Sequence, residues 1–392
     1  MPLSLPVADG FLIAGILSWA AKLCITRQLK LKRTPFDEII VMFVIFSAAS
    51  IWGSPDRGFS FYNYYHLMGR YIFVYYLVVN NISTADQVRR LIGAVLASAL
   101  AVTLYGFYQY LFSSSVTSAE WVDNEQFPGL KFRVFSTLEN PNLLGGFLVT
   151  MMSIAAGVGC KNSSLRLRVI LGLFVALLGL CLLLTYSRGA WISVLAVIAF
   201  FGLVFNRKIF WLMLVLPIAA FFAQDVLIER LMSILNPTDT SSTLRLALWE
   251  STIAMIVDKP FFGIGWGAYW MVYPEYDFFI NDSSTKIVHA HNMYLNFAAE
   301  IGIPGLIAFL GIIFGHIRAA VQVLDSAADE LAGGLMLGIA AGMVGLVVNG
   351  FTDYIMFNIQ MSMLFWLLNA VVVVIWNKNY RFSTNAMFFR KL

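Results

Sequence analysis

Charge is what this sequence has least of. Of its 392 residues only 12% are Asp, Glu, Lys or Arg, about half the share of a water-soluble domain. A chain this poor in charge cannot coat a globule of its size with solvated side chains. A soluble enzyme or a nucleic-acid-binding protein is therefore excluded, and no nucleic-acid partner is expected. Cysteine is also scarce: Cys24, Cys160 and Cys181 lie in or beside apolar runs without CxxC spacing. They read as small core residues, and a disulfide framework or thiolate metal site is excluded. Glycine-rich phosphate loops, a dinucleotide fingerprint, a nucleophile elbow and H-E-x-x-H are all missing, so no cofactor is implied. The N-terminus has no basic stretch or A-x-A cleavage site, so its first apolar run is expected to stay as a span.

What the sequence has in abundance is apolar length. Hydrophobic residues make up 59% of the chain and mean hydropathy is +0.77. Runs of about 20 apolar residues recur from end to end, each able to cross a hydrocarbon core of about 30 Å. Continuous runs, rather than alternation, select helices over a barrel. The expected fold is an all-α, polytopic transmembrane helical bundle of about 11–12 spans. Those spans are placed near 7–26, 38–53, 62–79, 91–113, 140–159, 169–186, 190–205, 209–223, 292–317, 330–350 and 355–376.

Lysine and arginine orient the bundle. With the basic segment 27–37 placed in the cytoplasm, the inner loops carry twice as many basic residues as the outer ones. Arg89, Arg90, Lys161, Arg166, Arg168, Arg207, Lys208 and Arg318 fall inside. The N-terminus and the long segment 224–291 are expected outside, and the basic tail 377–392 inside. Within the long loop, polar residues from Asn236 to Ser242 offer N-caps to an amphipathic interfacial helix over Thr243–Val257. Asp258-Lys259-Pro260 ends it. Gly263-Ile264-Gly265-Trp266-Gly267 follows, a stretch that can bring backbone close to a ligand.

Several outer-side residues carry chemical potential. Arg188, in Tyr186-Ser187-Arg188-Gly189-Ala190-Trp191, sits on a tight turn between spans, where a snorkelling arginine beside an interfacial tryptophan is the plain alternative. Arg245 and Trp249 lie one helical turn apart and can stack, or can simply face water. His289 and His291 precede a span, where the positive end of a helix dipole favours neutral imidazole, the proton-accepting form. An N-cap cluster is the alternative; a metal site is not expected, because H-x-H lacks further ligands and no carboxylate is seen to join it. Arg133 and Lys131 add outer cations ahead of the turn-forming Asn140-Pro141-Asn142. Arg70 lies about 12 Å into its span, either as a functional charge or as a paired structural one. Arginines and a neutral imidazole at one dry boundary suit a pyrophosphate leaving group and an attacking hydroxyl.

Arg245-Leu-Ala-Leu-Trp249, Asp258-Lys-Pro-Phe-Phe-Gly263-Ile-Gly265-Trp-Gly267 and His289-Ala-His291-Asn292-Met-Tyr294-Leu295, extended through Glu300, Gly302 and Gly305, resemble the O-antigen ligase/O-antigen polymerase superfamily. Tyr186-Ser187-Arg188-Gly189 and Asn140-Pro141-Asn142 occur where that resemblance expects them. The likeness spans residues 130 to 375 and implies a division into N-terminal helices (1–130), a catalytic membrane domain (131–376, including loop 224–291) and a cytoplasmic tail (377–392). It implies a C-type, metal-independent glycosyltransferase in a bacterial cytoplasmic (inner) membrane, with its active site on the periplasmic or extracellular side. The donor would be a polyprenyl (undecaprenyl) pyrophosphate-linked glycan, and the acceptor a hydroxyl of a glycan, lipid or protein. By motif, His291 would be the base, with His289 second. Arg188 and Arg245 would bind pyrophosphate, and Arg133, Asn142, Trp249 and Arg70 complete the candidate set. The resemblance also implies about twelve spans with a cytoplasmic N-terminus. A rival reading is a transporter of a small anion such as bicarbonate, which should show discontinuous helices and paired charges near the midplane.

Overall fold

A computed structural model describes residues 5–27, 31–112, 130, 132–214, 240–278, 287–324, 326–327 and 329–389, with backbone alone at 5–8, 240–242 and 379–389. Lys131, the capping turn from Asn236 to Thr238, most of segment 114–139 and most of the expected span 209–223 lie outside the described residues. The described start of that span, Arg207–Leu214, is a 3-10 turn whose Phe210 lies against Gly202.

The helices are α1 (Leu5–Thr26), α2 (Asp37–Ser50), α3 (Arg57–Tyr64), α4 (Arg70–Asn81), α5 (Ala85–Phe112), α6 (Pro141–Lys161), α7 (Leu165–Leu183), α8 (Arg188–Val204), α9 (Thr240–Asp258), α10 (Met293–Val323), α11 (Glu330–Asn349) and α12 (Ile359–Phe389). Seven of the described helices are long and apolar enough to cross a membrane, so the protein is a multi-pass, all-helical membrane protein. Apart from 209–223, the remaining expected spans also coincide with helix: α2, the run α3–α4 joined by a π turn at Tyr65–Gly69, and the 17-residue α8. Several boundaries differ: α5 begins at Ala85 rather than 91, α10 runs to Val323 rather than 317, and the last span begins at Ile359 rather than 355, because Ile355–Phe357 forms a 3-10 turn.

Two helices make the centre. Along α6 and α11, Gly157, Gly334 and Gly338 let the backbones touch, and a Cβ on Gly157 would lie 2.4 Å from the Gly334 carbonyl oxygen. Such small-residue contacts are what pull helices together where lipid removes the hydrophobic incentive. α11 is covered by α8 on one side and by α10 on another. Phe43, Trp266, Phe297, Phe309 and Trp366 interleave edge-to-face or tilted where α2, α10 and α12 converge. α1, α5 and α7 are peripheral and turn large apolar side chains outward, as lipid-facing helices do.

The element that positions the site is α10, because it is broken. Gly302 adopts φ 76° and ψ 167°, and Pro304 follows without an N–H. A break in a bilayer strands carbonyls, each worth about 1–3 kcal/mol if left unmet. The stretch after α9 fills it: Ile264 N–H donates to the Ala299 carbonyl (2.8 Å) and Gly265 N–H to Glu300 (3.1 Å), while Ile303 N–H donates to Pro260 (2.8 Å). A Cβ on Gly263 would lie 2.4 Å from the Glu300 carbonyl. The glycine-rich segment expected to approach a ligand is thus spent on approaching its own helix.

The chain has two ends. Lys22 meets Asn81, Lys32 meets Asn80, Ser163 meets Glu330, and Ser83, Asp329 and Lys378 line one crevice. These are the basic turns. Every residue of the site described next lies at the opposite end. α1 runs parallel to α4, with Asp9 level with Arg70 and Lys22 with Asn81, so Leu5 starts at the site end.

Candidate active site

The Asn292 side chain caps α10, accepting from the N–H groups of Tyr294 and Leu295 at 3.0 Å each. The residue before it, His291, takes a left-handed backbone, φ 47°. Histidine tolerates this region better than a branched residue, and such strain, about 1–3 kcal/mol, persists only where surroundings impose it. The surroundings are plain: Ala290 N–H donates to Asn296 Oδ1 (3.0 Å), Trp249 Nε1 donates to the Ala290 carbonyl (3.2 Å), and Met293 N–H donates to the Gly350 carbonyl (2.7 Å). The histidine loop is bolted to α9 on one side and to the α11–α12 turn on the other.

That turn supplies what sequence reasoning missed. Asp353 Oδ1 lies 3.2 Å from His291 Nδ1, with Asp353 7% and His291 39% exposed. The same oxygen accepts from Tyr354 N–H at 2.8 Å. Burial alone would raise the Asp353 pKa, but the hydrogen bond and charge of His291, with His289 and Arg245, outweigh it and hold the group below the ordinary carboxylate range. An ionised carboxylate on Nδ1 keeps the proton there and leaves His291 Nε2 as the acceptor. His289 differs. Its Nδ1 accepts from the His291 backbone N–H (3.2 Å), and its ring centroid lies 4.2 Å from that of His291. Desolvation first, then the charges of His291 and Arg245, lower it to about 3 despite Asp353. The expectation that no carboxylate joins the histidine pair is therefore corrected: three potential ligands, His289, His291 and Asp353, gather here. The signal in the sequence was a lone aspartate between two apolar runs.

The cations are brought to this turn by separate routes. Arg245 lies one turn before Trp249 on α9, and its charge is felt by both His289 and Asp353. Arg188 opens α8, and the adjoining Gly189 lies against Thr352, where a Cβ would come within 2.1 Å of Thr352 Oγ1. Arg188 and Asp353 are thus each one residue from the same contact. Tyr186, with φ 50°, makes the sharp entry to that turn.

Arg133 and Asn142 serve the turn from behind. The buried Arg133 donates Nε–H to the Thr185 carbonyl and Nη2–H to Asn142 Oδ1, each at 2.9 Å, while Asn140 caps α6. The geometry ties the α7–α8 turn to the start of α6. Arg70 stands elsewhere. It is buried on α4, ion-paired to Asp9 of α1, with its guanidinium 5.0 Å from the Tyr71 ring. This pairing is the geometry of a paired structural charge, one of the two readings the sequence left open.

With the geometry in place, comparison is informative. Residues 173–310 match the family model for O-antigen ligase. This stretch runs from α7 into α10 and includes Arg188, Arg245, Trp249 and both histidines, but not Arg133, Asn142 or Asp353. No curated protein matches the chain.

Proposed function

We propose, from the match of residues 173–310 to the O-antigen ligase family model, that the chain is a member of the O-antigen ligase/polymerase superfamily and carries out an inverting glycosyl transfer from a polyprenyl pyrophosphate donor. Glycan transfer in polysaccharide biosynthesis is the chemistry of the family. The finer assignment rests on one observation: His291 is held by a buried, ionised Asp353 in a turn that also receives Arg188 and Arg245.

In this reading Asp353 keeps the His291 proton on Nδ1. The free Nε2 accepts the proton of an acceptor hydroxyl as its oxygen attacks the anomeric carbon. The bond from that carbon to the diphosphate breaks, and polyprenyl pyrophosphate leaves with the electron pair. Arg188 and Arg245 hold the diphosphate and neutralise the charge that grows on it, the part a divalent metal plays in other glycosyltransferases. Arg133 and Asn142 position the turn that presents Arg188, and Trp249 fixes the histidine loop to α9. The basic loops at the far end support an outward-facing site in a bacterial cytoplasmic membrane.

Purified protein with a synthetic lipid-linked donor tests the assignment. Arg188→Ala, Arg245→Ala and His291→Ala should each abolish transfer at near-normal membrane abundance. Full transfer by all three would end it. The transporter reading has one observation in its favour, the broken α10, but the carbonyls of Ala299 and Glu300 at the break are already bonded to Ile264 and Gly265. Labelled bicarbonate uptake into proteoliposomes that survives these substitutions would favour transport instead.

A further inference from the structure

The two histidines and Asp353 form a second kind of constellation. One donor atom from each lies within 4.8 Å of the others, and they come from two elements fixed to each other by the Met293–Gly350 hydrogen bond. We infer that His289, His291 and Asp353 form a reversible binding site for a divalent transition cation, Zn2+ being the best match, and that its occupancy switches glycan transfer off. The inference rests on the reading of His291 as proton acceptor.

Two imidazoles and one carboxylate, with a position left open, are a borderline-soft set that favours Zn2+, Cu2+ or Ni2+ over Mg2+ and Ca2+. Metal–ligand bonds of 2.0–2.1 Å put tetrahedral donors about 3.3 Å apart. His291 Nδ1 and Asp353 Oδ1 already stand at 3.2 Å, so the approach needed falls mainly on the half-buried His289 ring. Access exists through His291, 39% exposed.

The consequence for transfer follows from the ring's single proton. A cation bound at His291 Nδ1 displaces that proton to Nε2. Nε2 then carries a hydrogen and can no longer accept one from the attacking hydroxyl. No net proton is released and no redox partner is required. Arg245, whose charge reaches both His289 and Asp353, opposes the cation, which makes the site an inhibitory one of modest affinity rather than a permanent metal centre.

The experiment is calorimetric titration of ZnCl2 into chelator-treated, full-length protein in lipid nanodiscs, beside a transfer assay. Wild type should bind one ion per chain. His289→Ala and Asp353→Asn should weaken binding more than about tenfold, since even an outer-shell partner of a metal ligand is worth that much. Arg245→Gln should tighten it, which a misfolded variant would not do. Zn2+ should inhibit wild-type transfer, EDTA should restore it, and Mg2+ at the same concentration should have no effect. Absence of Zn2+ binding by wild type, unchanged affinity in both ligand variants, or full transfer with the site saturated would each overturn the inference. The first two results leave the transfer reading standing; that reading fails separately if His291→Ala retains full transfer, whatever the isotherm shows.

Discussion

Replacing Asp353 by Asn changes one charge and almost no volume, and its effect can be worked through atom by atom. The native carboxylate takes two hydrogen bonds on Oδ1, from Tyr354 N–H at 2.8 Å and from His291 Nδ1 at 3.2 Å. Tyr354 N–H is fixed by the backbone, so the asparagine carbonyl oxygen must stay on it, where it can still accept from His291 Nδ1. What is lost is the negative charge that holds the Nδ1 proton and stabilises the imidazolium formed when Nε2 takes the hydroxyl proton, so the base is weakened. General-base catalysis is worth about 10²–10⁴-fold, or about 3–5 kcal/mol of barrier at 1.36 kcal/mol per tenfold. We therefore expect kcat of Asp353→Asn to fall by about two to four orders of magnitude. KM should stay within about threefold, because the diphosphate is held by Arg188 and Arg245 and not by Asp353. Steady-state kinetics on purified protein with a synthetic lipid-linked glycan separates the two constants. A variant that keeps kcat within about threefold of wild type, or that loses activity through KM alone, would refute the reasoning.

Three further outcomes follow from other contacts. Gly189→Ala should destabilise by about 1–3 kcal/mol and depress transfer, since its Cβ would meet Thr352 Oγ1 at 2.1 Å; Thr352→Ala in the same chain should recover part of both, and a double-mutant cycle on melting temperature and rate measures it. The His289 pKa is lowered in the fold to about 3 from an ordinary value of 6.5, so the unfolded chain binds the extra proton between those values and stability falls as pH drops through that window. His289→Leu should therefore show a smaller loss of melting temperature between pH 7 and about pH 5 than wild type does. Asp9→Ala should cost about 3 kcal/mol by leaving the buried Arg70 unpaired, whereas Asp9→Leu with Arg70→Met should cost much less, as read from thermal unfolding in detergent.

Local chemistry in the chain was enough to establish the solvent, the fold class and most of the helices, because span length and charge scarcity are one-dimensional properties. It also set the α9 helix over Thr240–Asp258, close to the expected Thr243–Val257, since the apolar period and Pro260 bound it on their own. His291, Arg188 and Arg245 stood out because rare polar residues in an apolar chain are conspicuous. What tertiary structure alone decided was who meets whom. Asp353 is 62 residues from His291, and nothing local in the sequence announces that a turn between two other spans delivers it. Arg70 looked as suggestive as Arg188 until Asp9, on a helix 61 residues away, took its charge. The glycine run 263–267 carried the right flexibility for a ligand but was consumed by the gap at Gly302, because a broken helix in lipid must have its carbonyls met before any substrate is served.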